Sequence, residues 1–203
     1  MWGSHFSRPA ALSAESVSLG APAAIQFRES VGFRADQGYV EWAAVDRQAF
    51  PDLSTGYALT RAEAAEIRRR QAVQESLGPA REFAHSQADY GGTYIDQLLG
   101  GVPVFLFAGD PESRRDELSA LLPAGTEFRV ERVRHTYAEL DAVQAVIDAE
   151  TSGLQASGIP IVLTGLDPRT NTVLIGLTQL TPEFETLLRT RYGDIVSFRR
   201  QGP

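Results

Sequence analysis

Cysteine and lysine are both missing from this 203-residue chain, and methionine occurs once. Without cysteine there is no disulfide framework, thiolate nucleophile, zinc knuckle or iron–sulfur ligation. Without lysine the phosphate-loop motif is excluded, and all 19 cationic side chains are arginine. They are outnumbered by 26 acidic residues, for a formal charge of −7, so the basic stripe of a general nucleic-acid binder is absent as well. No apolar run approaches the roughly 18 residues of a membrane span. The longest clear one, Val102 to Ala108, has the length of a strand and contains Pro103. What remains, 43% apolar and 22% charged residues, is the composition of a globular protein long enough to bury a core without metal or disulfide.

Met1-Trp2-Gly3-Ser4-His5 reads as a cloning remnant, and residues 1–30, rich in Ala, Ser and Pro without periodicity, read as a tag and disordered linker. Residues 31–59 carry Phe33, Tyr39, Trp42, Phe50 and Tyr57, too many aromatics for a tail. This segment is expected to cover a face of the body on its C-terminal side, with a short helix from Tyr39 to Phe50 ended by Pro51.

From residue 60 the pattern is regular. Thr60 with Glu63 makes a capping box for a helix over Arg61 to Leu77. Gly78-Pro79 breaks it, and a second piece runs from Ala80 to Ser86. Gly91-Gly92 is read as a turn before a strand from Thr93 to Gln97, and Gly100-Gly101 as the turn into a strand from Val102 to Ala108. Asp110-Pro111 opens a helix to Leu122, and Glu127 to Arg134 reads as a strand. Thr136 and Glu139 then cap another helix, with Tyr137, Leu140, Val143, Ile147 and Leu154 as its apolar stripe. Ile161 to Leu166 and Val173 to Leu177 form a hairpin, Thr181-Pro182-Glu183 opens a helix to Arg191, and Ile195 to Arg199 is the last strand.

The second half repeats the first. An offset of 71 maps Ile95 to Leu166, Asp96 to Asp167, Val102 to Val173, Val104 to Ile175, Leu106 to Leu177, Pro111 to Pro182 and Glu112 to Glu183. An offset of 70 maps Val73 to Val143, Leu77 to Ile147 and Phe128 to Phe198. The expected fold is α+β, with two repeated helix-hairpin-helix-strand units, 60–135 and 136–203, each a small three-stranded sheet covered by helices.

No catalytic constellation emerges. His5, His85 and His135 are the only histidines, and no Gly-x-Ser-x-Gly elbow surrounds a serine. Carboxylate pairs such as Glu63 with Glu66, or Asp116 with Glu117, fall on helices beside arginines and read as solvated faces. Asp96 and Asp167 sit at equivalent hairpin turns, where Asp bonds its own backbone. Gly91, Gly92, Gly100 and Gly101 lack phosphate-loop spacing and are assigned to structure. The expectation is a chain with no cofactor, no metal site and no catalytic residues.

Leu77-Gly78, then Tyr90-Gly91-Gly92-Thr93-Tyr94-Ile95-Asp96, then Gly101-Val102-Pro103-Val104-Phe105 resembles the pro-region module of bacterial secreted trypsin-like serine proteases of the α-lytic protease and streptogrisin type. The resemblance extends over Arg61 to Arg200 when the second unit is counted as a degenerate copy. It implies a secreted, extracellular, non-catalytic module, its signal peptide lying outside this chain, that chaperones the folding of a serine protease and then inhibits it. In that family the C-terminal strand and tail occupy the protease cleft. By position the role falls on Ile195, Val196, Ser197, Phe198, Arg199, Arg200 and Gln201, acting by strand addition. The alternative reading is a stand-alone secreted interaction domain of unknown ligand. The expected partner is a protein in either case, with no nucleic acid and no membrane span; the oligomeric state is not legible.

Overall fold

The computed structural model describes residues 14–45 and 57–202. Their fold is α+β. In chain order the elements are α1 (Ala14–Val31), α2 (Gln37–Val45), α3 (Arg61–Ser76), α4 (Gly78–His85), β1 (Tyr90–Asp96), β2 (Val102–Phe107), α5 (Arg115–Leu121), β3 (Arg129–Arg132), α6 (Tyr137–Ala156), β4 (Ile161–Asp167), β5 (Thr172–Leu177), α7 (Pro182–Tyr192) and β6 (Val196–Arg200). The chain divides into two compact units. One runs up to Val73 and includes Gln97–Gly101; the other comprises Gln74–Asp96 and Val102 onward. The repeat boundary at residues 135 and 136 lies inside the second of these.

The first unit is helical, and it corrects the expectation of a disordered leader: residues 14–30 lie in α1, while 1–13 are outside the described residues. Arg28 anchors the C-terminal end of that helix. Its guanidinium is 1% exposed and donates to both carboxylate oxygens of Glu63 and to the carbonyls of Arg34 and Ala58. It also stacks 5.2 Å from the Tyr39 ring, whose hydroxyl reaches Glu63. One buried cation thus ties together α1, the start of α2, the 57–60 segment and α3. Around it Phe27 and Phe33 pack on Leu59, Ala64 and Ile67. The Thr60–Glu63 capping box is formed, Thr60 donating its amide to Glu63 and Glu63 its amide to the Thr60 hydroxyl. The helix expected over Tyr39 to Phe50 is α2; residues 46–56 lie outside the described residues. Arg70, 5% exposed, donates to the carbonyls of Val31 and Gln97. The turn glycines Gly100 and Gly101 have φ of +80° and +79°, the left-handed conformation that favours glycine.

The second unit holds both sheets, ordered β1-β2-β3 and β4-β5-β6. Each is an antiparallel hairpin with a third strand added parallel to its second strand, reached through a helix. The duplication is visible bond by bond. Tyr90 pairs with Phe107 as Ile161 pairs with Leu177, and Asp96 with Val102 as Asp167 with Thr172. Both hairpins carry a bulge at the same place, after Tyr90 and after Ile161. Even the flanking bonds match: Val133 N–H to Phe107 carbonyl and Gln201 N–H to Leu177 carbonyl, Ala108 to Asp89 and Thr178 to Pro160.

These pairs also correct the offsets. First strands differ by 71, second strands by 70 and third strands by 68, because Phe105, bridged to Val130, corresponds to Ile175, bridged to Phe198. Val130 rather than Phe128 is therefore the counterpart of Phe198. The one-residue slip arises in the hairpin turn, which is shorter in the second copy.

The long helix α6 has the predicted capping box at Thr136 and Glu139 and buries Leu140, Ile147 and Leu154. Seventy residues earlier stand Arg70, Leu77 and Ala84, all buried. The first copy spreads this stripe over α3 and α4, since Gly78-Pro79 cannot continue a helix. In the second copy the stripe packs on Ile161, Val173, Ile175, Leu177, Leu188 and Val196. In the first, all six residues of β2 are buried, so this central strand is covered on both faces.

The copies are joined by Asn171, 7% exposed and at φ +51°. Its side-chain oxygen accepts the amides of Arg134 and His135 at 3.1 and 2.7 Å, and its nitrogen donates to the His135 carbonyl at 2.9 Å. The hairpin of the second copy thereby holds the strand-to-helix linker of the first. Gly92 belongs to the same joint, and Gly91 packs against the linker that the joint holds. They are not a turn before the strand, as the sequence suggested, but lie inside β1 at its bulge. A Cβ at Gly91 would stand 2.4 Å from Val133 Cγ2, and Gly92, at φ +129°, lies against Pro168.

Candidate partner-binding site

The seven residues assigned to partner binding do not form one free surface. Helix α7 begins at Thr181, whose hydroxyl accepts the Phe184 amide, and ends at Gly193 with φ +84°. The chain passes through a short turn at Gly193–Ile195 and enters β6 alongside β5. Val196 is 1% exposed in the core, with Ile195 and Phe198 packed beside it. Ser197 receives a hydrogen bond from Thr172. Gln201 donates its amide to Leu177, and its side chain lies over Gly176, where a Cβ would stand 2.9 Å from Gln201 Cγ and Leu163 Cβ. Ile195, Val196, Ser197, Phe198 and Gln201 are thus engaged within their own unit. Arg199 and Arg200 are exposed.

The backbone of β6 has an available side. In a parallel ladder alternate residues turn their N–H and C=O toward the neighbouring strand. Gln201 turns toward β5, so Ser197 and Arg199 do too, and Val196, Phe198 and Arg200 turn away. Arg189, whose guanidinium is 5.0 Å from the Phe198 ring, donates to the Val196 carbonyl. The outer groups of Phe198 and Arg200 face no described strand, since β6 ends its sheet.

The helix that leads into this edge is tied to α6. Glu150 on α6 accepts two bonds from Arg191 and one from the Tyr192 hydroxyl, both on α7. The Arg191 guanidinium and the Tyr192 hydroxyl hold the Glu150 carboxyl down at about 2. Burial and the Glu150 charge push the Tyr192 phenol up to about 12. At neutral pH Glu150 is therefore ionised and Tyr192 protonated, each in the form that holds α7 against α6.

The other assigned residues separate by role. Asp167 accepts the Arg169 amide at 3.0 Å, the backbone bond expected of a turn aspartate. Asp96, 17% exposed at its side chain, lies 3.9 Å from Arg169 of the other copy. Asn171 and Arg169, which join the copies, were missed by the sequence reading. The proximity of Asn171 to Asp167-Pro168 in a short hairpin was the only available signal, and it marks a turn rather than a joint. Among the described residues no group of three or more His, Asp or Glu is arranged to hold a metal ion, and no helix is long and apolar enough to cross a membrane. No known protein-family profile matches this chain, and no curated protein sequence matches it.

Proposed function

We propose that this chain is a non-catalytic interaction module that binds a partner protein by adding β6 to it as an edge strand. The partner implied by the pro-region resemblance is a secreted bacterial serine protease of the trypsin type, which the module would help to fold and then inhibit. The observation that carries this reading is the outer edge of β6, where the backbone groups of Phe198 and Arg200 are turned away from β5 beside two exposed arginines. Strand addition draws affinity from such main-chain groups and specificity from alternate side chains.

The test is inhibition of a panel of trypsin- and chymotrypsin-like bacterial proteases by the full chain and by Arg200→Pro. Proline is tolerated on an edge strand where the lost N–H faces outward, so the variant keeps the Gln201 bond and removes one docking donor. Submicromolar inhibition by the parent, weakened at least about tenfold in the folded variant, supports the reading. Equal inhibition by both, or none by either, overturns it. Renaturation of the denatured protease with and without the chain tests the chaperone role separately. A second reading, an extracellular interaction domain for another ligand, is favoured by Val162 and Leu163 at the β4 bulge, 55% and 43% exposed; it predicts binding that survives Arg200→Pro.

A further inference from the structure

We infer that the concavity between the two copies is a binding site for a small oxyanion, a phosphate or carboxylate group. This does not rest on the edge-strand reading, and it concerns other residues. The concavity, of about 420 Å³, is lined by Arg132, Arg134 and Arg169 with Tyr94 at its wall, and by Glu131 and Asp194 as its only acids. In a chain with a formal charge of −7, this surface gathers three arginines, although Asp96 also stands 3.9 Å from Arg169.

Gly91 and the joint at Asn171 place these arginines. Val133 must turn inward against Gly91, and neighbours along an extended chain point the other way. Arg132 and Arg134 therefore project together to the open side, about 7 Å apart at the backbone. Asn171 fixes the backbone between them and α6. Arg169 arrives from the second copy and is already oriented: it donates to the Ile95 carbonyl at 2.9 Å and stacks 4.5 Å from the Tyr94 ring.

The acids leave donors available. Arg134 and Asp194 approach only to 4.0 Å, with side chains 73% and 79% exposed, a separation beyond hydrogen-bond length and readily opened. Arg132 is paired through its backbone with Phe107, and its exposed guanidinium makes no hydrogen bond or ion pair within the described residues. Two guanidinium forks and a third held in place present the planar, multidentate donors that recognise oxyanions. The oriented third group lowers the ordering cost of binding.

Three probes separate the sources of such a group: inorganic phosphate, citrate as a polycarboxylate, and adenosine monophosphate as a ring-bearing phosphate. Each is titrated into the isotopically labelled full chain at low ionic strength, with backbone amides followed by NMR. The expected result is saturable shifts at Glu131 to His135 and Arg169 to Thr172, with a millimolar or tighter dissociation constant for at least one probe. Binding should weaken at least about tenfold in the Arg132→Gln, Arg134→Gln double variant, in line with the loss of charge-assisted bonds. A preference for phosphate, citrate or the nucleotide identifies which source fits. Absence of saturable shifts with all three probes overturns the inference, as does unchanged binding by the double variant. The wild-type shift map needs no variant, so misfolding of the double variant leaves the test intact.

Discussion

Gly91→Ala is a sharp perturbation because the atom it adds has an identified obstacle. The new Cβ would lie 2.4 Å from Val133 Cγ2, 3.1 Å from the His135 carbonyl oxygen and 3.4 Å from that of Leu106. Carbon atoms in contact prefer roughly 3.5 to 4.0 Å, so Val133 must retreat by more than about 1 Å. It is poorly able to do so: the β-branched side chain is restricted at χ1, and its amide is bonded to Phe107. Overpacking of this kind costs about 1 to 3 kcal/mol, and the obstructed retreat places this case near about 3. Val133→Ala alone removes two methyl groups from a half-buried position and should cost about 1 kcal/mol. Together they should cost about 2 kcal/mol rather than the additive 4 or so, because each removes part of the other's difficulty. Recovery is incomplete since the His135 carbonyl remains close. Urea unfolding should be read at the amides of β1 and β2 by NMR, because Trp42 lies in the helical unit and reports there. Val162, the counterpart of Gly91 in the second copy, is 55% exposed, so Val162→Ala should stay within about 0.5 kcal/mol of the parent. Additive losses in the double variant, or a Gly91→Ala cost under about 1 kcal/mol, would refute the close packing of β1 on the strand-to-helix linker that Asn171 holds.

Three further outcomes are expected. Glu63→Gln leaves the nearly inaccessible Arg28 without its counter-charge and should destabilise the helical unit by about 3 to 5 kcal/mol, measured by denaturation followed through Trp42; burial pushes the Glu63 carboxyl up, but Arg28 and the Thr60 amide outweigh it and hold it low. Its contribution is thus present above the ordinary carboxylate range and fades as pH falls through the lowered value. Asn171→Ala should cost about 3 kcal/mol through three lost hydrogen bonds and a left-handed backbone, and Asn171→Gly about 1 kcal/mol less because it keeps that backbone unstrained; equal losses on urea unfolding would show that the conformation contributes nothing. Glu150, lowered to about 2 by Arg191 and Tyr192, should keep its ion pair until the pH falls well below 4.5, and Arg191→Gln should return its midpoint toward 4.5 in a carboxyl NMR titration.

The parts of this fold that the sequence displays are those set by short-range chemistry. The capping boxes at Thr60 and Thr136, the helix break at Gly78-Pro79 and the Asp167 turn each require only neighbours within a few residues, and each was found where expected. The duplication was visible as well, because matched apolar positions survive in both copies. Helix α1 was not, since Pro22 lies inside it and the partner of its Arg28, Glu63, stands thirty-five residues further along the chain. The third-strand alignment failed for a related reason: Phe128 resembles Phe198 chemically, but strand pairing puts Val130 in that place. At the candidate edge, the β-propensity of Ile195 to Arg199 identified a strand, yet propensity does not say which side of a strand is left unpaired. The joint was hidden altogether. Gly91 and Gly92 look like turn residues until Val133 and Pro168 are seen against them, and Asn171 looks like one until its amide is followed to the linker.

That asparagine also orders events during synthesis. Every strand of the first sheet has left the ribosome once Arg132 has been added and extruded, and its ladders need nothing from later in the chain. The linker at Arg134 and His135, however, waits a further 36 residues or more for the side chain that ties it down. A nascent chain can therefore complete its first sheet while the hinge to the second is still untethered. The final geometry between the copies is set only when the last hairpin emerges.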